Sequence, residues 1–186
     1  MMDAKAPDLK AAARAEAFAR RKALFTAGQG QAAEILADFL AAQAGKVLAG
    51  YMPMRTEIDP LPAMAAHRGT VGVPVILGAA TPLKFREWSP GAKMVEGAFK
   101  ALIPEEGGWV EPQVLIVPLL AWDARGYRLG YGGGFYDRTL EGLRSRRKVL
   151  AVGFAFAGQE VAEVPIDRFD QRLDAMVTEK GVTLFS

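Results

Sequence analysis

Apolar residues recur along the chain at two spacings, and these predict alternating helices and strands. Helical spacing marks four segments, at residues 8–27, 31–44, 60–67 and 135–143. Uninterrupted apolar runs of strand length occupy residues 47–52, 71–77, 114–119 and 149–156. Because such runs are typical of strands buried on both faces, the order predicts an α/β fold, a three-layer sandwich with a mostly parallel central sheet.

Residues 83–102 follow a different pattern, in which polar and apolar residues alternate (LKFREW, then GAFKAL). This alternation predicts antiparallel additions to the sheet or a flap. The chain of 186 residues has no internal repeat, so we expect one domain over residues 1–186. It has no apolar run of membrane-spanning length and no secretory signal pattern, so we expect a cytoplasmic protein.

The composition removes several kinds of chemistry. With no cysteine, the chain forms no disulfide, thiolate nucleophile or cysteine-based zinc site. A single histidine argues against histidine-rich metal sites and most histidine-based acid/base schemes. The chemistry must therefore use carboxylates, lysine, arginine, tyrosine and backbone amides.

The net charge is +2, which gives no general field for nucleic acid. Basic residues are nevertheless concentrated in two segments. The first contains Lys5, Lys10, Arg14, Arg20, Arg21 and Lys22, and the second contains Arg138, Arg144, Arg146, Arg147 and Lys148. We expect most of them to form solvated helix faces and a minority to bind a small polyanion.

A glycine-rich segment carries most of the chemical information. Gly130 and residues 132–134 stand between a predicted buried strand and a predicted helix. Glycines let consecutive N–H groups turn inward at a helix N-terminus, which is typical of phosphate binding. The spacing is neither G-x-G-x-x-G nor that of the Walker loop, and a flexible turn remains the alternative. Arg128 and Asp137 flank these glycines and favour a site for phosphate and Mg²⁺.

Two further segments carry candidate ligands. Asp167, Asp170 and Asp174 are three and four residues apart, which predicts one helix face or one turn. Paired carboxylates suit Mg²⁺, although solvated or capping aspartates are commoner. The segment at residues 50–60 follows the first predicted strand, where α/β sheets bind ligands. Its Met52 and Met54 could contact a flat ring, and Glu57 could accept hydrogen bonds from an amino-substituted heterocycle, or all three could be ordinary core and surface residues.

Together these segments resemble the 5-formyltetrahydrofolate cyclo-ligase family, also called methenyltetrahydrofolate synthetase. The resemblance is strongest in RLGYGGGFYDR at residues 128–138. It extends to YMPMRTE at residues 51–57, DQRLDAMVTEKGV at residues 170–182, and the pair Lys10 and Arg14. It implies an ATP- and Mg²⁺-dependent conversion of 5-formyltetrahydrofolate to 5,10-methenyltetrahydrofolate, with phosphorylation of the formyl oxygen and release of ADP and phosphate.

The resemblance also implies a role for each residue that matches the family's motifs. The residues implied for ATP binding are Lys10, Arg14, Arg128, Gly130, Gly132, Gly133, Gly134 and Tyr136. Those implied for folate binding are Met52, Met54, Glu57, Tyr131 and Phe135. Those implied for catalysis are Arg128, Tyr136 and Asp137, and the implied Mg²⁺ ligands are Asp137 and Asp170.

Two residues depart from the family pattern: Phe169 stands where many members have histidine, and Phe135 where tyrosine is common. Other classes remain open at this stage. One is a different phosphate-ligand enzyme on a similar sheet, such as a sugar-phosphate isomerase or a coenzyme A transferase, and another is a non-catalytic folate or nucleotide binding protein. The expected partners are the small molecules ATP and 5-formyltetrahydrofolate, with no nucleic acid or membrane, and we expect a monomer.

Overall fold

A computed structural model of the protein describes residues 6–186, so Lys5 lies outside the described residues. The four predicted helices are confirmed within about two residues at most of their ends. They are α1 (Ala6–Ala27), α2 (Ala32–Leu40), α3 (Leu61–Ala66) and α4 (Phe135–Arg144). A 3-10 turn, Ala41–Gln43, continues α2 and accounts for the longer helix that the sequence predicts there.

Twelve strands are present in the part of the chain that the structure describes. The first six are β1 (Leu48–Ala49), β2 (Val71–Val75), β3 (Lys84–Trp88), β4 (Met94–Glu96), β5 (Leu102–Pro104) and β6 (Trp109–Val110). The other six are β7 (Val114–Val117), β8 (Ala121–Trp122), β9 (Arg128–Leu129), β10 (Leu150–Phe154), β11 (Ala175–Thr178) and β12 (Gly181–Leu184).

Eight of these strands form one sheet in the order β12-β11-β10-β7-β1-β2-β3-β6. The strands from β11 to β2 in that order run parallel to one another. Antiparallel β12 borders them on one side, and β3 and β6 border them on the other. The predicted α/β fold with a mostly parallel centre and antiparallel additions is therefore confirmed. Two hairpins, β4–β5 and β8–β9, lie outside this sheet.

Helices cover both faces of the sheet. In β7, Val114 and Ile116 belong to the core beneath α2 and α3, whereas Leu115 and Val117 belong to the core beneath α4. This alternation follows from the two-residue period of a strand, and it gives the predicted three layers. The side chain of Leu140 in α4 is fully buried, and burial of such a side chain contributes roughly 1.5–3 kcal/mol.

Two features of the sheet differ from the sequence predictions. The apolar run at residues 47–52 forms only the two-residue β1, and the chain leaves the sheet after Gly50, whose N–H still donates to the Gly72 carbonyl oxygen at 2.9 Å. Strands β11 and β12 were not predicted, although both lie in the sheet. Of the two arrangements predicted for the aspartates, Asp167 and Asp170 adopt the turn, closed by the Asp170 N–H donating to the Asp167 carbonyl oxygen at 3.3 Å and called the aspartate turn below.

The second basic segment is mostly exposed, as predicted, although its exposed members Arg146, Arg147 and Lys148 lie beyond the end of α4. Arg146 and Arg147 pair with Glu111, and Arg144 pairs with Asp174. Asp174 also accepts the N–H of Ala151, so it does not join the other two aspartates at one turn. Within residues 6–186, each helix is too short or too polar to cross a membrane.

Candidate functional site

The loop that joins β9 to α4, residues 130–134, is called the glycine loop below. Gly132 (φ +100°) and Gly134 (φ +69°) adopt the left-handed backbone that favours glycine. Gly133 does not have positive φ, but its Cβ would lie 2.6 Å from Cε2 of Phe135, so a side chain there would force the Phe135 ring to move. The N–H groups of residues 132–134 donate to no acceptor among the residues the structure describes. They are available to an anion at the N-terminus of α4.

Helix α1 contributes one cation directly to this loop. Arg14 donates from Nε to the carbonyl oxygen of Gly130 at 2.9 Å. A Cβ built on Gly132 would lie 3.3 Å from Cζ of Arg14, so the guanidinium covers the loop. The structure thus brings together Arg14 and the glycines, which are more than a hundred residues apart in the sequence.

Lys10, one turn earlier on α1, bridges two of the predicted carboxylates. Its Nζ donates to Oδ2 of Asp167 and to Oδ2 of Asp170, both at 2.8 Å. Burial acts to lower the pKa of Lys10, but the two hydrogen bonds outweigh it, and the pKa is raised. The bond from Lys10 lowers the pKa of Asp167. The Lys10 ammonium is therefore the cation that contacts Asp170 in this structure.

Asp137 and Arg128, which flank the glycine loop in the sequence, form an ion pair. Oδ1 of Asp137 accepts hydrogen bonds from Nη2 of Arg128 at 2.8 Å and from the N–H of Gln171 at 2.9 Å. Arg128 is buried and also donates from Nη1 to the Gln171 carbonyl oxygen at 2.6 Å. Arg128 therefore holds Asp137 and the chain beside Asp170 in place.

The two carboxylates predicted for Mg²⁺ fit such an ion chemically. Gln171, which binds Asp137, directly follows Asp170, so the two carboxylates belong to adjoining parts of the site. Oδ2 of Asp137 and Oδ1 of Asp170 accept no hydrogen bond from any residue between 6 and 186. Mg²⁺ takes one or two carboxylate oxygens and fills its other positions with water and phosphate, so two free oxygens suffice. Among those same residues, no group of three or more metal-ligating side chains occurs.

The segment after β1 borders a groove of about 530 Å³, which is a volume typical of small-molecule sites. Apolar side chains dominate its lining, and two cations stand among them. The lining residues are Met52, Pro53, Met54, Arg55, Leu61, Phe99, Lys100 and Leu102. Three of them, Arg55, Phe99 and Lys100, have positive φ, and none of the three was predicted from the sequence as a site residue.

Glu57 connects this groove to the glycine loop. Its Oε1 accepts the hydroxyl of Tyr131 at 2.6 Å, and its Oε2 accepts the N–H of Met54 at 2.9 Å. Burial raises the pKa of Glu57, while the hydrogen bonds from Tyr131 and Met54 and the charge of Arg21 limit that rise. Glu57 is therefore a fixed, largely buried carboxylate.

Tyr136 and Phe135, at the start of α4, lie beside these groups. The Tyr136 hydroxyl is buried and has no hydrogen-bond partner within the described part of the chain. Burial and the nearby Glu57 raise the pKa of Tyr136 well above its usual range, so the group stays protonated and is a free donor. Phe135 packs edge-on against Phe99, with ring centroids 6.3 Å apart.

Phe169, the other departure from the family pattern, leaves its ring largely exposed beneath the Arg168 guanidinium, 4.7 Å away. Its N–H donates to Oδ1 of Asp167 at 2.9 Å. Asp170 is oriented instead by Lys10 and by the N–H of Asp167, which donates to it at 2.7 Å. The ring at position 169 therefore does not orient Asp170 here.

Two solved structures share this architecture. The NMR structure of the Aquifex aeolicus 5,10-methenyltetrahydrofolate synthetase has a TM-score of 0.75 at 30% identity, covering 95% of this chain and 92% of that one. A 5,10-methenyltetrahydrofolate synthetase from Mycoplasma pneumoniae has a TM-score of 0.71 at 22% identity, covering 91% of this chain and 98% of that one, and supports the fold alone.

Two proteins with similar sequences are both named 5-formyltetrahydrofolate cyclo-ligase. A Mycolicibacterium smegmatis 5-formyltetrahydrofolate cyclo-ligase is 30% identical over 152 residues, covering 73% of this chain and 75% of that protein. The Escherichia coli K12 5-formyltetrahydrofolate cyclo-ligase is 48% identical over 69 residues, so the match spans 37% of the length of each chain.

The family profile of the 5-formyltetrahydrofolate cyclo-ligases matches residues 7–179, which include nearly all of α1, the glycine loop and the turn at residues 167–170. The motifs that resemble this family in the sequence lie within the matched region, except that the last of them, residues 170–182, extends three residues beyond it. The chain belongs to the 5-formyltetrahydrofolate cyclo-ligase family.

Proposed function

We propose that this protein converts 5-formyltetrahydrofolate to 5,10-methenyltetrahydrofolate, with ATP as co-substrate and release of ADP and phosphate. One observation carries the proposal: the glycine loop contacts both halves of the site. Its Gly130 accepts Arg14 from the cationic helix, and its Tyr131 donates to Glu57 beside the methionine-lined groove. A phosphate donor and a folate bound on the two sides would meet at this loop.

The ATP side of the site consists of the glycine-loop amides and the cations of α1. The free N–H groups of residues 132–134 would accept phosphate oxygens, assisted by the positive end of the α4 dipole. Arg14 already lies over this loop, and Lys10 lies one turn away on the same face. We propose that Gly130 lets the phosphates approach the backbone closely, because the space that a Cβ would occupy there has no other atom within 4 Å.

The folate side consists of the groove and Glu57. Met52 and Met54 provide polarisable surface for a flat ring, and Phe99 lines the same groove. Glu57 would accept hydrogen bonds from the amino-substituted pterin ring, with Tyr131 and Met54 fixing its two oxygens. We place Phe135 at the junction of the two ligands because it packs against Phe99 and directly follows the glycine loop.

The reaction needs positioning and charge neutralisation rather than a protein nucleophile. The formyl oxygen attacks the γ-phosphorus, and the bond to ADP breaks. Nitrogen 10 of the folate then bonds to the activated carbon, and phosphate leaves with the formyl oxygen and the proton from nitrogen 10. The free Tyr136 hydroxyl would donate a hydrogen bond to a developing oxyanion, and Arg128 would hold Asp137 in place.

Asp137 and Asp170 would hold Mg²⁺, through the oxygens that accept no other bond. When bound, this ion would neutralise charge on the phosphates. The Lys10 ammonium donates a hydrogen bond to Oδ2 of Asp170, so nucleotide binding would move Lys10 from this carboxylate toward phosphate.

We also propose that residues 1–186 act as one domain and as a monomer. Residues as distant as Lys10 and Asp170 converge within one chain, and each residue assigned here is supplied by that chain. Sedimentation of the active protein at assay concentration tests the monomer.

Incubating the purified protein with 5-formyltetrahydrofolate and Mg-ATP, and following both methenyl absorbance and ADP, tests the proposal. A cyclo-ligase forms methenyl product and ADP in equal amounts. Binding of both ligands with no product would indicate a non-catalytic binding protein. No folate dependence of any turnover would indicate another phosphate-ligand enzyme.

A further inference from the structure

Arg21 is a fully buried arginine that the assignments above leave without a role. Only 1% of its surface is exposed, although the sequence placed it in a basic helix segment expected to be mostly solvated. Its guanidinium lies 5.4 Å from the ring centroid of Phe18 and 5.5 Å from that of Tyr131. A buried charge is costly unless hydrogen bonds compensate it, and within the described residues two of the three guanidinium nitrogens have partners while the buried Nη2 has none.

The contacts of Arg21 lead to Glu57. Its Nε donates to the Thr56 hydroxyl at 3.0 Å, and its Nη1 donates to the Tyr131 hydroxyl oxygen. That oxygen has one proton, which it donates to Oε1 of Glu57. Because Arg21 can only donate, it fixes the direction of the Tyr131 hydrogen bond toward the carboxylate.

The position of Arg21 on α1 relates these contacts to the phosphate side. Arg21 lies eleven residues after Lys10, about three helical turns, so the two side chains share one face. They are separated along the axis by about 16 Å. The same rigid face therefore contacts the aspartate turn at one end and the Tyr131–Glu57 pair at the other.

We propose that Arg21 is a positioning residue that orients Tyr131 and keeps Glu57 in its charged, hydrogen-bond-accepting form for the pterin ring of the folate. The inference rests on the proposed function for the identity of the ligand. It adds a residue of α1, a helix otherwise assigned to ATP, to folate recognition.

The electrostatic surroundings of Glu57 support this role. The cations that face it are Arg21 from α1 and Arg55 from its own segment. The other titratable groups near it are the phenols of Tyr51, Tyr131 and Tyr136, which remain protonated because burial raises the pKa of each. Burial raises the pKa of Glu57, and removing Arg21 would raise it further. Folate binding would then be lost at a higher pH than in the wild type.

The test compares Arg21→Met with Lys22→Met, which removes a charge from the exposed neighbouring position. We expect Arg21→Met to raise the folate KM at least about tenfold, with the ATP KM changed less than about twofold. In its pH profile of folate kcat/KM, the acid limb should move to higher pH. Arg21→Lys should reverse part of that shift. Lys22→Met should match the wild type in all three measurements.

A second measurement needs no turnover. The carboxyl ¹³C signal of Glu57, assigned by its absence in Glu57→Gln, should titrate at higher pH in Arg21→Met than in the wild type. Unchanged titration, or equal changes in both KM values with no pH shift, would overturn the proposal. A titration shift in a protein that makes no methenyl product would refute the proposed function while leaving the action of Arg21 on Glu57 in place.

If Arg21→Met does not fold, Tyr131→Phe gives the deciding result. Tyr131 is 45% exposed, so the loss of its hydroxyl should leave the fold intact. This variant removes the hydroxyl that accepts from Arg21 and donates to Glu57, and it should raise the folate KM selectively. A folate KM equal to that of the wild type would overturn the proposal.

Discussion

Arg14 of α1 donates a hydrogen bond from Nε to the carbonyl oxygen of Gly130, at 2.9 Å, across 116 positions of sequence. This bond joins the first helix to the glycine loop and places a guanidinium over the amides that would hold phosphate. The nitrogens Nη1 and Nη2 of the same group lie 3.4 and 3.5 Å from a Cβ built on Gly132. Helix α1 therefore supplies a cation to the loop that joins β9 to α4.

Replacing Arg14 with alanine should weaken ATP binding. The variant removes a charged donor beside the loop, so we expect the ATP Kd to rise about tenfold, with folate affinity unchanged. Alanine is a good helix former, so the melting temperature should stay close to that of the wild type. Calorimetry on Arg14→Ala and on Lys22→Ala, a control on the exposed side of α1, measures this. A lower melting temperature with unchanged ATP affinity would make Arg14 a structural residue.

Glycine at position 132 is required by its backbone conformation. A residue with a side chain at φ +100° is strained by about 1–3 kcal/mol, and its Cβ would also press on Arg14. We expect Gly132→Ala to lose ATP affinity far more than folate affinity. Gly142→Ala, in the last turn of α4 where a Cβ meets only Arg146 at 3.9 Å, should retain both. Equal ATP affinity in the two folded variants would remove the glycine loop from the ATP site.

The Lys10 bridge should give stability a defined pH dependence. The pKa of Asp167 is lowered in the folded protein, so its contribution exists above the unfolded pKa and is lost as pH falls through the folded value. The pKa of Lys10 is raised, so its contribution is complete below the unfolded value of 10.5 and is lost as pH rises through the folded value. The unfolding free energies of the wild type and Lys10→Met should therefore differ at neutral pH and converge in acid and in strong base. A difference independent of pH would show that packing, not charge, is responsible.

Asp137 and Asp170 should act together on one metal ion. Asp137→Asn keeps an oxygen that can accept from Arg128 and Gln171, so the fold should persist while turnover falls at least about 100-fold. Asp170→Asn should also lower turnover and raise the Mg²⁺ requirement. The double variant should cost much less than the product of the two single losses, because groups that act as a unit are not additive. If the two losses multiply and the Mg²⁺ dependence does not change, Asp170 only stabilises its turn and does not bind the metal ion.

The elements that the sequence predicts best are those with a strong local pattern. The run VLIV at residues 114–117 is buried along its whole length, and its strand was predicted. Strand β12 has an exposed, partly polar pattern at the sheet edge, and its pairing with β11 supplies the order that its own residues do not.

The site shows the same division. The glycine loop and Glu57 were predicted because each stands in a dense local motif. The burial of Arg21 was not, because its partners Thr56 and Tyr131 are 35 and 110 residues away, and a basic helix segment gives no sign of which cation faces inward. Phe99 was missed for a related reason: its contact with Phe135 depends on a turn with positive φ that no local pattern marks.

The fate of the formyl oxygen tests the proposed reaction most directly. The protein is incubated with Mg-ATP and 5-formyltetrahydrofolate labelled with ¹⁸O in the formyl group, and the released phosphate is examined by mass spectrometry. If the formyl oxygen attacks the γ-phosphorus, each methenyl product formed is matched by one phosphate that contains one ¹⁸O atom. Methenyl product accompanied by unlabelled phosphate, or ATP cleavage without methenyl product, would contradict the account.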